Sequence, residues 1–385
     1  MNGQRLLKND MEKIKIAYII SELNIAGAEV ILCQLVSNLD KAKFEPVVLV
    51  LDEKRENRLT KQLDSAGIRS LFMNKIDKNS VIRHRKRYLW INRMLKQEKP
   101  DLIHAHLEYY FSCLYALRYS KRLISTIHGQ AYTIKNMWTQ VIFKVLDRKG
   151  LLKLHALTCS GAKELEEIFT IDHKKIAIIP NMIRIDTFRN PDRDYSQKDS
   201  VSFIFIARFH PVKNHHMLLQ AFSQLLKHVP EAVLNLVGDG ELLEKEKEYA
   251  RSLNIIENVK FWGEMEDVSQ ILKESDIFVI SSDSEMFPIV LLEAMSSGLP
   301  VVTTFVGGIR DIMDENGITV EAGNAKQMAS AMLRMAEDDE LRARYGKKSL
   351  KLAEKYDVDR VVKQYEDLYL QEIDLINAKS KQAAI

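Results

Sequence analysis

Short apolar stretches separated by helix-like patterns recur along most of this chain, and that rhythm limits the fold more than any other property of the sequence. Residues 14–20, 46–51, 68–73, 102–106, 123–128, 156–159 and 176–179 read as buried strands ending in polar or glycine-containing loops. Amphipathic helices are expected between most of them, for example over 28–39 and 162–169. Strands that are apolar throughout and alternate with helices predict a parallel sheet covered on both faces. The segment 190–200 (NPDRDYSQKDS) is polar and aperiodic, as a linker should be. The rhythm then restarts, with strands expected over 201–207, 232–237, 259–262, 277–280 and 301–304 and helices over 217–227 and 242–253. The sequence therefore predicts an α/β chain of two doubly wound, Rossmann-like domains with a cleft between them. Their expected extents are 1–189 and 201–356, joined by the 190–200 linker. Amphipathic helices are expected over 325–337, 340–354 and 358–376, the last within a terminal segment 357–385.

At 385 residues the chain is long enough for two domains of ordinary size. No apolar run approaches the roughly 20 residues that span a bilayer, and residues 1–15 are too polar for a signal sequence, so a cytoplasmic location is expected. Cys33, Cys113 and Cys159 lie far apart in apolar contexts and read as buried free thiols rather than zinc ligands or a redox pair. The net charge of +3 hides an asymmetry: residues 1–200 carry 35 Lys and Arg against 23 Asp and Glu, whereas 201–385 carry 21 against 30. Much of the basic excess lies between Lys78 and Lys96, where Arg83, Arg85, Lys86, Arg87 and Arg93 interleave with Ile82, Tyr88, Leu89, Trp90 and Ile91. Such a helix suits an anionic membrane surface, and equally a solvated helix packed on its own domain. Nucleic acid is not an expected partner, because no known binding signature accompanies the basic run.

The segment Glu285–Val302 carries the clearest chemistry. Glu293 is the one charge between Met286 and Val302, and burying it unpaired would cost several kcal/mol, on the order of polar-transfer penalties. Pro288 suits the first position of a helix, leaving the N–H groups of Ile289 and Val290 ready for an anion. Two acids and a helix terminus together suit a ligand with both vicinal hydroxyls and phosphate. Arg208 and Lys213 follow another strand, a planar fork and a point charge able to share one diphosphate. Gly238 and Gly240 flank a turn that brings backbone close to a neighbour. In the first domain Gly27 opens a helix after the first strand, and His104, His106 and His128 end the fourth and fifth strands, where they are expected to face the cleft. Asp192-Arg193-Asp194 and Asp357-Val358-Asp359 read as solvated.

With these residues in order, the chain resembles glycosyltransferase family 4, retaining enzymes of the GT-B fold. The likeness rests on Gly27, His106, Thr126-Ile127-His128-Gly129, Cys159-Ser160, Ile179-Pro180-Asn181, Ala207-Arg208 with Lys213, Gly238-Asp239-Gly240, Glu285-Met286-Phe287-Pro288 with Glu293, and Gly307-Gly308. The resemblance implies that Arg208 and Lys213 neutralise a donor diphosphate and that Glu293 holds ribose hydroxyls. It also implies that Glu285 contacts the transferred sugar, with Phe287, Pro288, Ile289 and Val290 beside sugar and phosphate. His128 would face the donor sugar, Trp262 and Met265 would lie by the base, and the last helix would cross back to the first domain. No metal or cofactor is implied; the donor is a nucleotide-diphosphate sugar, a UDP-sugar. Ala26, Met182 and Arg184 depart from the family's usual glycine, Asn-Gly and acidic residues.

A basic first domain adds an expected acceptor, a polyprenyl-diphosphate-linked saccharide met at the inner face of the plasma membrane. This resembles bacterial enzymes that build capsule, exopolysaccharide or lipopolysaccharide. A non-catalytic glycosyltransferase-like subunit and a sugar-nucleotide epimerase stand as alternatives.

Overall fold

The computed structural model describes residues 13–74, 80–129, 134, 137–196 and 200–383. The polar amino terminus through residue 12, Lys78 and residues 197–199 of the expected linker lie outside these. The chain forms two compact units. The first comprises the described residues up to Ala156, Ala162–Ile179 and the chain from Val362 on; the second comprises Leu157–Gly161 and Pro180–Val361.

The first unit is built on seven parallel strands: β1 (Ile14–Ile20), β2 (Phe44–Val50), β3 (Arg69–Phe72), β4 (Leu102–His106), β5 (Leu123–Ile127), β6 (Leu152–Ala156) and β7 (Ile176–Ile178). Their spatial order is β3-β2-β1-β4-β5-β6-β7, so the winding direction reverses between β1 and β4. The second unit has six: β8 (Ser202–Ile206), β9 (Val233–Val237), β10 (Val259–Gly263), β11 (Ile277–Ile280), β12 (Val301–Thr304) and β13 (Gly317–Val320). Their order β10-β9-β8-β11-β12-β13 reverses between β8 and β11. In such sheets the crevice for ligands lies beyond the carboxyl ends at the reversal.

Apolar alternation with helices set the central strands, and β1, β4, β11 and β12 fall on their expected residues. The sixth strand does not. It runs over Leu152–Ala156, ahead of the expected 156–159, and Cys159 already begins a helix to Phe169. Lys153 and His155 interrupt the apolar run that would have marked it. That shift corrects the reading of the thiols: Cys33 and Cys113 are buried, whereas Cys159 is exposed.

The expected linker also behaves differently. Arg193 is buried, and its guanidinium donates to the carbonyls of Ser297 (2.7 Å), Leu272 (2.8 Å) and Ser275. These carbonyls terminate the helices Ser269–Glu274 and Ile289–Ser296, whose partial negative ends favour a cation. Asp192 and Asp194 are exposed, as expected, but Arg193 pins the segment to the second unit. Apart from the short excursion Leu157–Gly161, the chain instead changes unit at Ile179/Pro180 and again at Val361/Val362, within the helix Val358–Ala383.

From that helix Tyr365 and Tyr369 enter the core of the first unit. The Tyr18 hydroxyl donates to Tyr369 (3.0 Å), Tyr369 reaches His104 Nδ1 (2.8 Å), His104 Nε2 meets Thr126 Oγ1 (2.6 Å), Thr126 meets His155 Nδ1 (2.7 Å), and His155 Nε2 meets the carbonyl of Ile179 (2.9 Å). A carbonyl only accepts, so the His155 proton sits on Nε2. Every donor upstream follows: Thr126 donates to His155, His104 to Thr126, and Tyr369 to His104. Burial holds both imidazoles neutral, His104 well below the ordinary range and His155 at about 4. The role of His104 is thereby structural. Among the described residues no helix is long and apolar enough to cross a membrane.

Candidate active site

In the second unit, the loops after β8 and β11 meet where the winding reverses. Pro211–Lys213 forms a single 3-10 turn, capped at its start by His210 Nδ1 accepting from the N–H of Val212 (3.3 Å). Asn214 follows with φ 50°, a left-handed conformation that asparagine tolerates, and its side-chain oxygen caps the helix His215–Leu225 by accepting from Met217 N–H (3.1 Å). Lys213 is thus held between two fixed points. Its ammonium lies 2.6 Å from Glu285 Oε1, which also accepts from the Ser282 hydroxyl (2.7 Å).

The Ser281–Glu285 loop is stitched in place on both sides. Ser281 Oγ donates to the Lys213 carbonyl (2.9 Å), Asp283 N–H to the Val212 carbonyl (2.8 Å), and Asn214 Nδ2 to Asp283 (2.9 Å). From β12, Thr304 Oγ1 donates to the Ser282 carbonyl (2.6 Å), and from the turn after it Gly308 N–H donates to the Glu285 carbonyl (3.0 Å). Gly307 and Gly308 leave no space: a Cβ on either would stand 1.9 Å from the Glu285 oxygen or 1.6 Å from that of Met286. A carboxylate and an ammonium set in so rigid a frame are organised before any ligand arrives.

The flanking loops have a related construction. Gly238 (φ +135°) and Gly240 (φ +152°) would place a Cβ 2.2 Å from the Ala207 carbonyl oxygen and 2.6 Å from that of Phe209. The close approach these glycines permit is therefore to the Ala207–Phe209 backbone, which fixes where Arg208 leaves its strand. Arg208 itself is not gathered to Lys213 and Glu285. It is exposed, and its ion pair among the described residues is with Glu241 (3.3 Å), a surface contact of the kind worth little. Beneath the loop His215 stacks on Phe209 (4.0 Å, 15°); burial and the Lys213 charge push its pKa down to about 3.

Phe287 is buried edge-on to Tyr356, and its carbonyl accepts from Asn181 Nδ2 (3.0 Å). Pro288 sits one place earlier than expected, as N-cap of the helix Ile289–Ser296, because its ψ of 117° is still extended. Ile289 and Val290 occupy the first turn, which has no side-chain cap. Glu293, four residues after Ile289 and on the same side of the helix, is half-buried. Trp262, half-exposed at the end of β10, donates from Nε1 to Asn235 (3.0 Å), and Met265 packs against the core.

In the first unit, Gly27 is exposed at the first residue of the helix after β1. His106 is buried at the end of β4, and its Nδ1 lies 2.8 Å from Nε2 of His128 beyond β5. Burial lowers the pKa of both, His128 to about 3, so the pair is neutral. Sequence reasoning did not single out Ser281, Ser282, Asn214, Asp283 or His215. The serine-rich run before Glu285 was the available signal.

Two family models match successive stretches of the chain: Glycosyltransferase Family 4 over residues 25–187 and Glycosyl transferases group 1 over 188–352. The chain is 26% identical to the Escherichia coli UDP-Gal:alpha-D-GlcNAc-diphosphoundecaprenol alpha-1,3-galactosyltransferase, over 94% of its own length and 98% of the relative's. It is 27% identical to the N-acetyl-alpha-D-glucosaminyl L-malate synthase of Bacillus anthracis, over 71% and 75% of the two chains. Anabaena HepE, solved in complex with UDP and glucose, superposes with a TM-score of 0.78 at 18% identity, covering 93% of this chain and 100% of HepE. The likeness to HepE is one of fold, two α/β units in succession, the GT-B architecture. Matched in order from residue 25 to 352 by both models, the chain belongs to glycosyltransferase family 4.

Proposed function

We propose that this glycosyltransferase moves a sugar from a UDP-sugar to a lipid-diphosphate-linked saccharide, with retention of anomeric configuration and without a metal ion. The observation that carries the reading is the Lys213–Glu285 pair, held at the strand reversal of the second unit. In the transfer, the bond from the anomeric carbon to the diphosphate oxygen breaks and the acceptor hydroxyl forms the new one, its proton leaving to the departing diphosphate. Negative charge grows on that diphosphate. Lys213, Arg208 swung from its weak contact with Glu241, and the N–H groups at Ile289 and Val290 supply the compensating charge that a metal provides elsewhere. Glu285 receives the sugar's hydroxyls, and Glu293 those of the ribose. The UDP complexes of HepE and the diphosphoundecaprenol-linked acceptor in the E. coli relative's name support the two substrate classes.

The first unit carries a surface suited to such an acceptor. The helices Ser80–Glu98, Tyr110–Tyr119 and Met137–Arg148 pack in succession and expose Leu89, Tyr110, Met137, Trp138 and Val141, with Arg85 and Lys86 exposed on the first of them. Apolar and aromatic side chains mixed with basic ones suit the headgroup region of an anionic bilayer, which would place the enzyme peripherally on the inner membrane face.

A thermal-shift screen of nucleotide sugars, followed by transfer assays with and without chelator, tests the reading. Stabilisation by UDP-sugars and turnover that survives chelation are expected. Absence of both binding and donor hydrolysis would remove the proposal, and activity restored only by manganese would remove its metal-free part.

A further inference from the structure

A cavity of about 1210 Å³ opens in the first unit at the amino ends of its strands, beside Ile14 of β1 and Leu152 of β6. It is at the opposite end of the sheet from His106 and His128. Eight cationic side chains line it against four carboxylates. Each carboxylate already has a partner: Glu45 pairs with Lys15 (2.9 Å), Asp147 with Lys175 (3.0 Å), Glu372 with Arg122, and Asp101 accepts from the backbone N–H of Lys15 (2.8 Å). Lys99, Lys121, Lys153 and Lys174 make no ion pair among the described residues, and the Lys121 ammonium donates to the Pro100 carbonyl (3.3 Å).

Lys153 is the most constrained of these. It lies half-buried on β6 between the buried Leu152 and Leu154. Burial pulls its pKa below the ordinary lysine range; Glu372 opposes this and the neighbouring Arg122 adds to it. The fold therefore gathers like charges around a cavity in excess of the carboxylates that line it, so part of their repulsion is left uncompensated. A multivalent anion relieves it, and ammonium groups on separate elements are well placed to share phosphate oxygens. The remaining wall, from Tyr119, Ile373, Leu375 and Ile376, accepts an apolar body attached to that anion.

We infer that this cavity is a binding site for a phosphate-class anion, carried by a soluble molecule or by a lipid headgroup, separate from the donor site. The helix Val358–Ala383 supplies Glu372 and its neighbours to the wall, so occupancy also braces this helix against the sheet.

Calorimetric titration of the full chain with inorganic pyrophosphate at low ionic strength tests the site. Because the donor site as read above also attracts pyrophosphate, the titration is made in an Arg208→Ala/Lys213→Ala background, in which UDP binding separately reports on the donor reading. Pyrophosphate binding is expected to survive in that background and to weaken at least about tenfold when Lys153→Met and Lys174→Ser are added, tenfold being the equivalent of one charge-assisted contact. Lys99→Ser/Lys174→Ser, confined to exposed positions, serves if the Lys153 variant fails to fold. Flotation with phosphatidylglycerol vesicles separates the sources. Reduced recovery of the lysine variants, with competition by pyrophosphate, assigns a headgroup; unchanged recovery with weakened pyrophosphate binding assigns a soluble ligand. No pyrophosphate binding in the Arg208/Lys213 background, or equal affinity with and without the lysine substitutions, overturns the inference.

Discussion

His106 Nδ1 lies 2.8 Å from Nε2 of His128, and the other ring nitrogen of His106 is buried without a hydrogen-bond partner among the described residues. A bare nitrogen in that position is less costly than an orphaned N–H, so the His106 proton belongs on Nδ1, where it donates to His128. His128 is then the Nδ1–H tautomer, presenting a donor on its other side. His106→Phe frees His128 to adopt either tautomer. Turnover is expected to fall about five- to tenfold, the value of one neutral hydrogen bond, with the donor KM little changed. Steady-state kinetics showing an unchanged kcat would end this assignment.

Acid should weaken the first unit more than the second, in which His215 is the one imidazole held down in this way among the described residues. His104, His106, His128 and His155 are all held neutral by burial, with His155 at about 4 and His128 at about 3. Their unfolded counterparts protonate near the ordinary value of about 6.5, so below that pH the unfolded chain binds more protons and stability falls. The loss grows as pH drops toward the depressed folded values and is absent above about pH 7.5. Urea unfolding should show a lower midpoint at about pH 5.5 than at about pH 7.5, and His155→Gln should flatten the difference. A midpoint independent of pH over this window contradicts the neutral assignment.

Lys213 and Ser282 address the same carboxylate oxygen with different consequences. On the proposed mechanism, removing the cation in Lys213→Met takes away charge stabilisation at the transition state and should lower kcat/KM about 10²- to 10³-fold. Ser282→Ala removes one supporting hydrogen bond and should cost about 1–2 kcal/mol, roughly tenfold. Equal losses in the two variants would show that Lys213 acts through the geometry of Glu285 alone.

Gly308 is a clean steric probe because its φ of −73° suits any residue. Gly308→Ala would still drive a Cβ to 1.6 Å from the Met286 carbonyl oxygen. Displacing the Glu285 loop is expected to cost about 1–3 kcal/mol of stability, as overpacking does, and to abolish donor binding. Gly323→Ala meets nothing within 4 Å but has φ +75°, so it should cost only about 1 kcal/mol and spare binding. Calorimetric melting and UDP titration of both variants separate strain from site geometry.

Trp138 and Met137 are 67% and 70% exposed, with Val141 exposed on the next turn, a grouping of apolar side chains of the kind that marks an interaction surface. Trp138→Ser with Arg85→Glu and Lys86→Glu should reduce recovery on anionic vesicles several-fold while leaving UDP binding intact, given about 1 kcal/mol per basic residue at such surfaces. Equal recovery on neutral and anionic lipid would dismiss the docking face.

Legibility in the sequence followed from how local each determinant is. β4 and β11 were readable because apolar runs bounded by polar residues specify a buried strand without reference to neighbours. β13 (Gly317–Val320), four residues at a sheet edge, gave no such signal, and β6 was masked by its own Lys153 and His155. Glu285 was legible as the acid ahead of a helix start and Lys213 as a cation between a strand and a helix, yet their contact spans 72 positions and exists because β8 and β11 are neighbours. The bonds from Ser281, Asn214 and Thr304 depend on that strand order too. Arg193 was read as solvated because nothing in a polar run reveals that two helices end over it.

The helix Val358–Ala383 begins in the second unit and belongs from Val362 on to the first. Dividing the gene near codon 180 therefore would not release two autonomous modules. The leading fragment would lack Tyr365 and Tyr369, baring Tyr18, Phe44 and His104, while the trailing one would carry a helix with two buried tyrosines and nothing to cover them. A fragment that recapitulates the first unit has to be a permuted polypeptide, with residues 362–383 joined back to the amino-terminal sheet.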